Sequence, residues 1–202
     1  MKKAIGILLM AMVLFALAAC GGGAAPPAPT PTHDTSGRAG NSGRTDELQA
    51  HLAVSRSALN DLREKVQESG ATALFVMLWE DRMSIFLPEG RFHMIYDEFG
   101  FLSAAYDLPE WGDQHGFDAR AEFILSVDPD VILLLDRTDM GSPTGGVGVQ
   151  NFMADSIIQS TTAAQAGHIY VLQGNPWYTL LGGLGALDIM IANVMEFIHA
   201  LE

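Results

Sequence analysis

Apolar residues recur at two different spacings along this 202-residue chain. Leu48, Leu52, Leu59, Leu62 and Val66 fall at helical intervals, which predicts an amphipathic helix that starts near Thr45 and ends before Gly70. The Thr45 hydroxyl is suited to cap it, and Asp46 and Glu47 to stand in its first turn. From Ala71 the spacing changes. "ATALFVMLW" and, beyond the polar Glu80-Asp81-Arg82 turn, "MSIFLP" read as extended. In "DPDVILLLDR" the run Val131-Ile132-Leu133-Leu134-Leu135 is apolar without interruption, as a strand of a parallel sheet covered by helices on both faces must be. "RFHMIYDEFG", closed by Gly100, and "ARAEFILSV" read as helices, "GHIYVLQ" as another strand, and "GALDIMIANVMEFIHAL" as a C-terminal helix with one apolar side. Strands alternating with helices predict a single α/β domain, Rossmann-like, with three layers around a mostly parallel sheet and the amphipathic helix in front. The ~130 residues after that helix suffice for one such domain and not for two.

The segment before residue 45 has a different composition. Lys2 and Lys3, an apolar stretch from Ala4 to Leu17 and then Ala18-Ala19-Cys20 follow the order of a secretory signal over residues 1–19. The stretch is shorter than the ~20 apolar residues of a spanning helix. "LAAC" resembles the lipobox of bacterial lipoproteins, which implies that Cys20 is lipidated and holds the protein at the outer face of a membrane. Cys20 is the only cysteine, so no intramolecular disulfide forms. Residues 20–44, rich in Gly, Ala, Pro, Thr and Ser, read as a flexible linker ahead of the domain at 45–202.

Charge narrows the partners. The net charge of −13 becomes −15 when residues 1–19 leave with two lysines and no acid, which argues against nucleic acid and anionic lipid as ligands. Cations are scarce. From Gly70 onward there is no lysine, and the only arginines are Arg82, Arg91, Arg120 and Arg137. In an open α/β sheet ligands bind beyond the carboxyl ends of the strands, and Arg137 stands at such an end. From its neighbours alone it also reads as a surface arginine paired with Asp136 or Asp139.

"EGRFHMIYDEFG", "HGFDARAEFILSVDPDVILLLDR" and "NPWYTLLGGLGALDIMIANVMEFI" together resemble the C-terminal lobe of periplasmic siderophore-binding proteins, the substrate-binding lipoproteins of iron-importing ABC transporters, and in particular their ferric-catecholate branch. The resemblance implies that Arg91 and Arg137 face the anionic ferric complex, that His115 and Tyr178 contact or ligate the iron, and that Glu122 docks on the permease. The chemistry is consistent: guanidinium groups offer fixed donors to a compact anion, and a tyrosinate oxygen is a hard ligand for Fe(III). Each residue also has an ordinary reading. Arg91 caps a turn with Glu89, His115 is a solvated loop histidine, Trp177 and Tyr178 are core aromatics, and Glu122 is an exposed helix acid.

The resemblance implies no resident cofactor and no enzymatic activity; the ferric siderophore is cargo. Enzyme signatures are missing as well: there is no nucleophile elbow, no H-E-x-x-H and no Cys/His cluster, and neither "GSPTGGVG" nor "LGGLG" has a phosphate-loop pattern. Family members have two lobes, and this sequence runs from the linker almost directly into the end of the helix that joins them. A second copy of the chain or a separately encoded N-terminal lobe is therefore expected as a partner. Two other functions are compatible with the residues: a lobe that no longer binds ligand and serves as an interaction protein, and a binder of another bulky anion such as haem or a corrinoid.

Overall fold

The structure, a computed structural model, describes residues 38–105, 116–142, 144–180 and 182–199. Cys20, the signal segment, Trp111 and His115 lie outside the described residues. Helix α1 (Arg38–Ser69) leads into strands β1 (Thr72–Trp79) and β2 (Arg82–Phe86), the single helical turn α2 (Met94–Asp97) and the two-residue strands β3 (Leu102–Ser103) and β4 (Phe117–Asp118). Helix α3 (Ala121–Val127), strand β5 (Val131–Asp136), helices α4 (Val147–Ala154) and α5 (Thr162–Ala166), strand β6 (Ile169–Val171), a π-helical turn at Asn175–Thr179 and helix α6 (Leu184–Ile198) complete the chain.

The strand order is β4-β2-β1-β5-β6, with β3 beside the start of β1. Strands β3, β5 and β6 join the sheet in parallel pairings, and β2 and β4 extend one edge antiparallel. The sheet is mostly parallel, as the apolar run at 131–135 predicts. That run supplies both layers of core. Successive strand side chains point to opposite faces. Val131, Leu133 and Leu135 pack with Leu62 and Val66 of α1 and with Met190, Ile191 and Val194 of α6. Ile132 and Leu134 pack with Ile124 of α3, Val149 and Phe152 of α4 and Ala163 of α5. Helices thus cover both faces, and a polar residue anywhere in the run would face one apolar layer or the other.

Two expected elements differ. Helix α1 begins at Arg38, seven residues before Thr45, so Thr45 is an interior residue and not the cap. Once nucleated, a helix gains a hydrogen bond with each added residue, and the glycines at 40 and 43 do not stop it. In "RFHMIYDEFG" only Met94–Asp97 is α-helical. Its apolar spacing is met instead by consecutive turns that bury Phe92, Ile95, Tyr96 and Phe99. The apolar stripe of α1 is used unevenly: Leu62 and Val66 are in the core, while Leu48 and Leu52 are exposed. Among the described residues, no helix is long and apolar enough to cross a membrane.

Candidate functional site

The carboxyl ends of β1 and β5 lie level. Leu78 pairs with Asp136, and the ladder is carried one step further where the Arg137 amide donates to the Leu78 carbonyl at 2.8 Å. Asp136 is buried, and its carboxylate accepts the backbone N–H groups of Thr138 (2.9 Å), Asp139 (3.1 Å) and Gly146 (2.7 Å). The acid that ends the apolar run therefore organises the loop that turns away from the sheet, and it is not an ion-pair partner of Arg137. The Arg137 guanidinium lies 4.1 Å from the ring centroid of Trp79, the last residue of β1, and 5.0 Å from that of Tyr178.

Tyr178 comes from the π-helical turn between β6 and α6. Its neighbours Pro176 and Trp177 are buried, and the Trp177 indole N–H donates to Asn193 Oδ1 of α6 at 3.3 Å. Burial of Trp177 in the core leaves the next side chain, Tyr178, half-buried at the sheet edge. Arg91 is held in a similar way. Its neighbour Phe92 is fully buried and stacks on Phe75 of β1 with centroids 4.0 Å apart. Arg91 Nη2 donates to the Tyr178 carbonyl at 2.7 Å, and the guanidinium stands 4.4 Å from the Tyr178 ring centroid. Both guanidiniums therefore share one aromatic ring, an attraction of about 1 kcal/mol at an exposed site, which orients their donors in advance of any ligand.

The hairpin forms the remaining wall. Trp79 pairs with Arg82 and Met77 with Ser84, and Ser84 in turn pairs with Asp118 of β4. Alternation places Arg82, Ser84 and Phe86 on one face, with Asp118 beside them. Together with Arg91, Arg137, Tyr178 and Gly116 these side chains line a cleft of about 290 Å³. Gly116 has φ +76°, and a Cβ there would stand 2.8 Å from the Ile85 carbonyl oxygen, so only glycine lets the chain pass this close to the hairpin. Three of the four arginines beyond Gly70 meet in this cleft, and Asp118 is the single carboxylate among its described lining residues.

Of the residues singled out from sequence, Arg91, Arg137 and Tyr178 are brought together. His115 lies outside the described residues, although Gly116, next to it in sequence, lines the cleft. Glu122 is exposed in the first turn of α3, away from the cleft lining. Trp177, by contrast, is a core residue. Sequence reading missed Trp79, Arg82 and Asp118. The signal for Trp79 was available, since it ends the strand that pairs with the one Arg137 follows. Among the described residues, no group of three His, Cys, Asp or Glu side chains is placed to hold a metal ion.

Comparison with known proteins gives the same fold. The chain is 24% identical over 154 residues to the petrobactin-binding protein YclQ of Bacillus subtilis, which is 76% of this chain and 47% of that protein. The crystal structure of the periplasmic catecholate-siderophore binding protein VctP from Vibrio cholerae superposes with a TM-score of 0.66 at 24% identity, covering 75% of this chain and 53% of that one. The iron uptake ABC transporter substrate-binding protein PiuA from Streptococcus pneumoniae gives 0.68 at 25% identity, over 75% and 52%. The chain spans about half the length of the curated relatives it matches. A family model described as periplasmic binding protein matches residues 39–176, and with that match, on this sheet and these helices, the chain belongs to the periplasmic binding protein family.

Proposed function

We propose that this chain is a substrate-binding component of an ABC importer that captures an anionic ferric siderophore of the catecholate class. The observation that carries the reading is the convergence of Arg91 and Arg137 on the Tyr178 ring, at the carboxyl edge of the sheet. A ferric catecholate is compact, anionic and aromatic. Guanidinium groups already oriented on aromatic rings offer it charge-assisted hydrogen bonds, and the partly exposed ring of Trp79 offers it stacking surface. Arg91 and Arg137 neutralise the complex, and Tyr178 and His115 contact the iron where the siderophore leaves coordination sites open. The names of YclQ, VctP and PiuA, which speak of petrobactin, catecholate siderophores and iron uptake, favour this cargo.

In the same reading Glu122, exposed on α3, docks on the permease, and Cys20 carries the lipid anchor that keeps the protein outside the cytoplasm. A second copy of the chain or a separate lobe lies across the cleft. Light scattering tests the first of these partners: a mass that doubles when the ferric complex is added supports closure by a second copy.

The test is a fluorescence titration with a ferric tris-catecholate. Trp79, 40% exposed in the cleft, is the reporter, and a Trp79→Phe control separates its signal from that of Trp111 and of the fully buried Trp177. Saturable quenching is expected for the parent protein, with affinity reduced at least ~tenfold in Arg137→Ala through loss of a charge-assisted contact. Absence of saturable quenching in the parent protein, or equal affinity in Arg137→Ala, contradicts the reading.

A further inference from the structure

The three arginines of the cleft are not equivalent. Arg91 and Arg137 lie against aromatic rings, and neither has a carboxylate partner among the described residues. Arg82 does have one: its Nη2 donates to both carboxylate oxygens of Asp118, at 2.8 and 2.7 Å. Register makes the pair. Asp118 stands opposite Ser84 on the neighbouring strand, and Arg82 is two residues further along the same face, within diagonal reach.

We propose that Arg82 is a third ligand-binding cation of this cleft and that Asp118 is its internal competitor, so that only a strongly charged anion engages Arg82. The proposal rests on the reading of the cleft as an anion-capture site. Both side chains are more than half exposed, at 57% and 65%. Solvent screens such a pair strongly, so exchange of the Asp118 carboxylate for ligand oxygens costs little. The gain depends on ligand charge. A trianionic complex interacts with Arg91 and Arg137 and still carries charge enough to draw Arg82 away from Asp118. A weakly charged complex leaves the pair intact and gains nothing from Arg82. Asp118 thus sets a threshold: it weakens the binding of any anion, and only one of high charge recovers the contact with Arg82.

The experiment is a double-mutant cycle on the full chain, read by Trp79 fluorescence at low ionic strength. The parent, Asp118→Asn, Arg82→Gln and the double variant are each titrated with a trianionic ferric tris-catecholate and a neutral ferric tris-hydroxamate, with Arg137→Ala as reference. Asp118→Asn is expected to tighten tris-catecholate binding about fivefold, and Arg82→Gln to weaken it about tenfold. In the Arg82→Gln background the gain from Asp118→Asn is expected to shrink to the direct repulsion between the carboxylate and the anion. Binding of the neutral complex is expected to stay weak in all four proteins.

Circular dichroism confirms that the variants fold, as their exposure leads one to expect. Loss of binding in Arg137→Ala with no response to either Arg82→Gln or Asp118→Asn overturns this proposal and leaves the capture reading standing. A gain from Asp118→Asn that persists in full without Arg82 also overturns it. No binding by the parent protein removes both.

Discussion

Asp136 shows how a single side chain links fold to site. It ends a strand buried on both faces, its carboxylate is itself buried, and it accepts three backbone N–H groups from the loop that carries Arg137. Asp136→Ala leaves those donors without an acceptor in a place poorly supplied with water. A loss of about 3 kcal/mol of stability is expected, read by urea denaturation, because removal of one partner exposes the full desolvation cost of the other. Ligand affinity is expected to fall as well, since the donors of Arg137 then lose their fixed position. Unchanged stability would show that the loop is held by other contacts.

Among the elements, α1 and α6 are joined by a polar clasp outside the apolar layer. Asp188 of α6 accepts the hydroxyl of the buried Ser55 at 2.5 Å and lies 2.5 Å from His51 Nε2, both on α1. The Ser55 hydrogen bond and then the His51 contact hold the Asp188 carboxyl below its ordinary range, against a smaller opposing effect of burial. A carboxyl with a depressed folded value stabilises the fold fully above its unfolded pKa and loses that contribution as pH falls through the folded value. Asp188→Ala is therefore expected to cost about 1 kcal/mol near neutral pH, allowing for solvent screening. The difference in Tm from the parent protein is expected to shrink as pH is lowered towards ~3, beneath the usual aspartate value of ~3.9. A Tm difference that is constant across this range would mean that Asp188 does not titrate with folding. The clasp secures the part of α1 that reaches the core, whereas Leu48 and Leu52 remain exposed nearer its start.

For the whole molecule, the layers were legible in sequence and the cleft only in part. The run at 131–135 announced a sheet covered on both sides, because period-2 alternation leaves no polar position in such a strand. Arg137 was legible for the same reason, as the first residue beyond the strand that the run builds. Arg82 was not. It read as part of a polar turn, and its role depends on the register that sets Asp118 opposite Ser84 in a strand two residues long, too short to show any period. The extent of α1 before Thr45 was hidden as well, since a Gly- and Ser-containing segment has the composition of a linker whether or not a helix runs through it.

The central claim, an anion cradle between Arg91 and Arg137 over the ring of Tyr178, is tested most directly by locating the iron. Crystals grown with a ferric tris-catecholate are predicted to show one anomalous iron peak in the cleft, beside Tyr178 and within reach of both guanidiniums through the catecholate oxygens. An iron peak elsewhere on the molecule, with the cleft holding only solvent, would contradict the account.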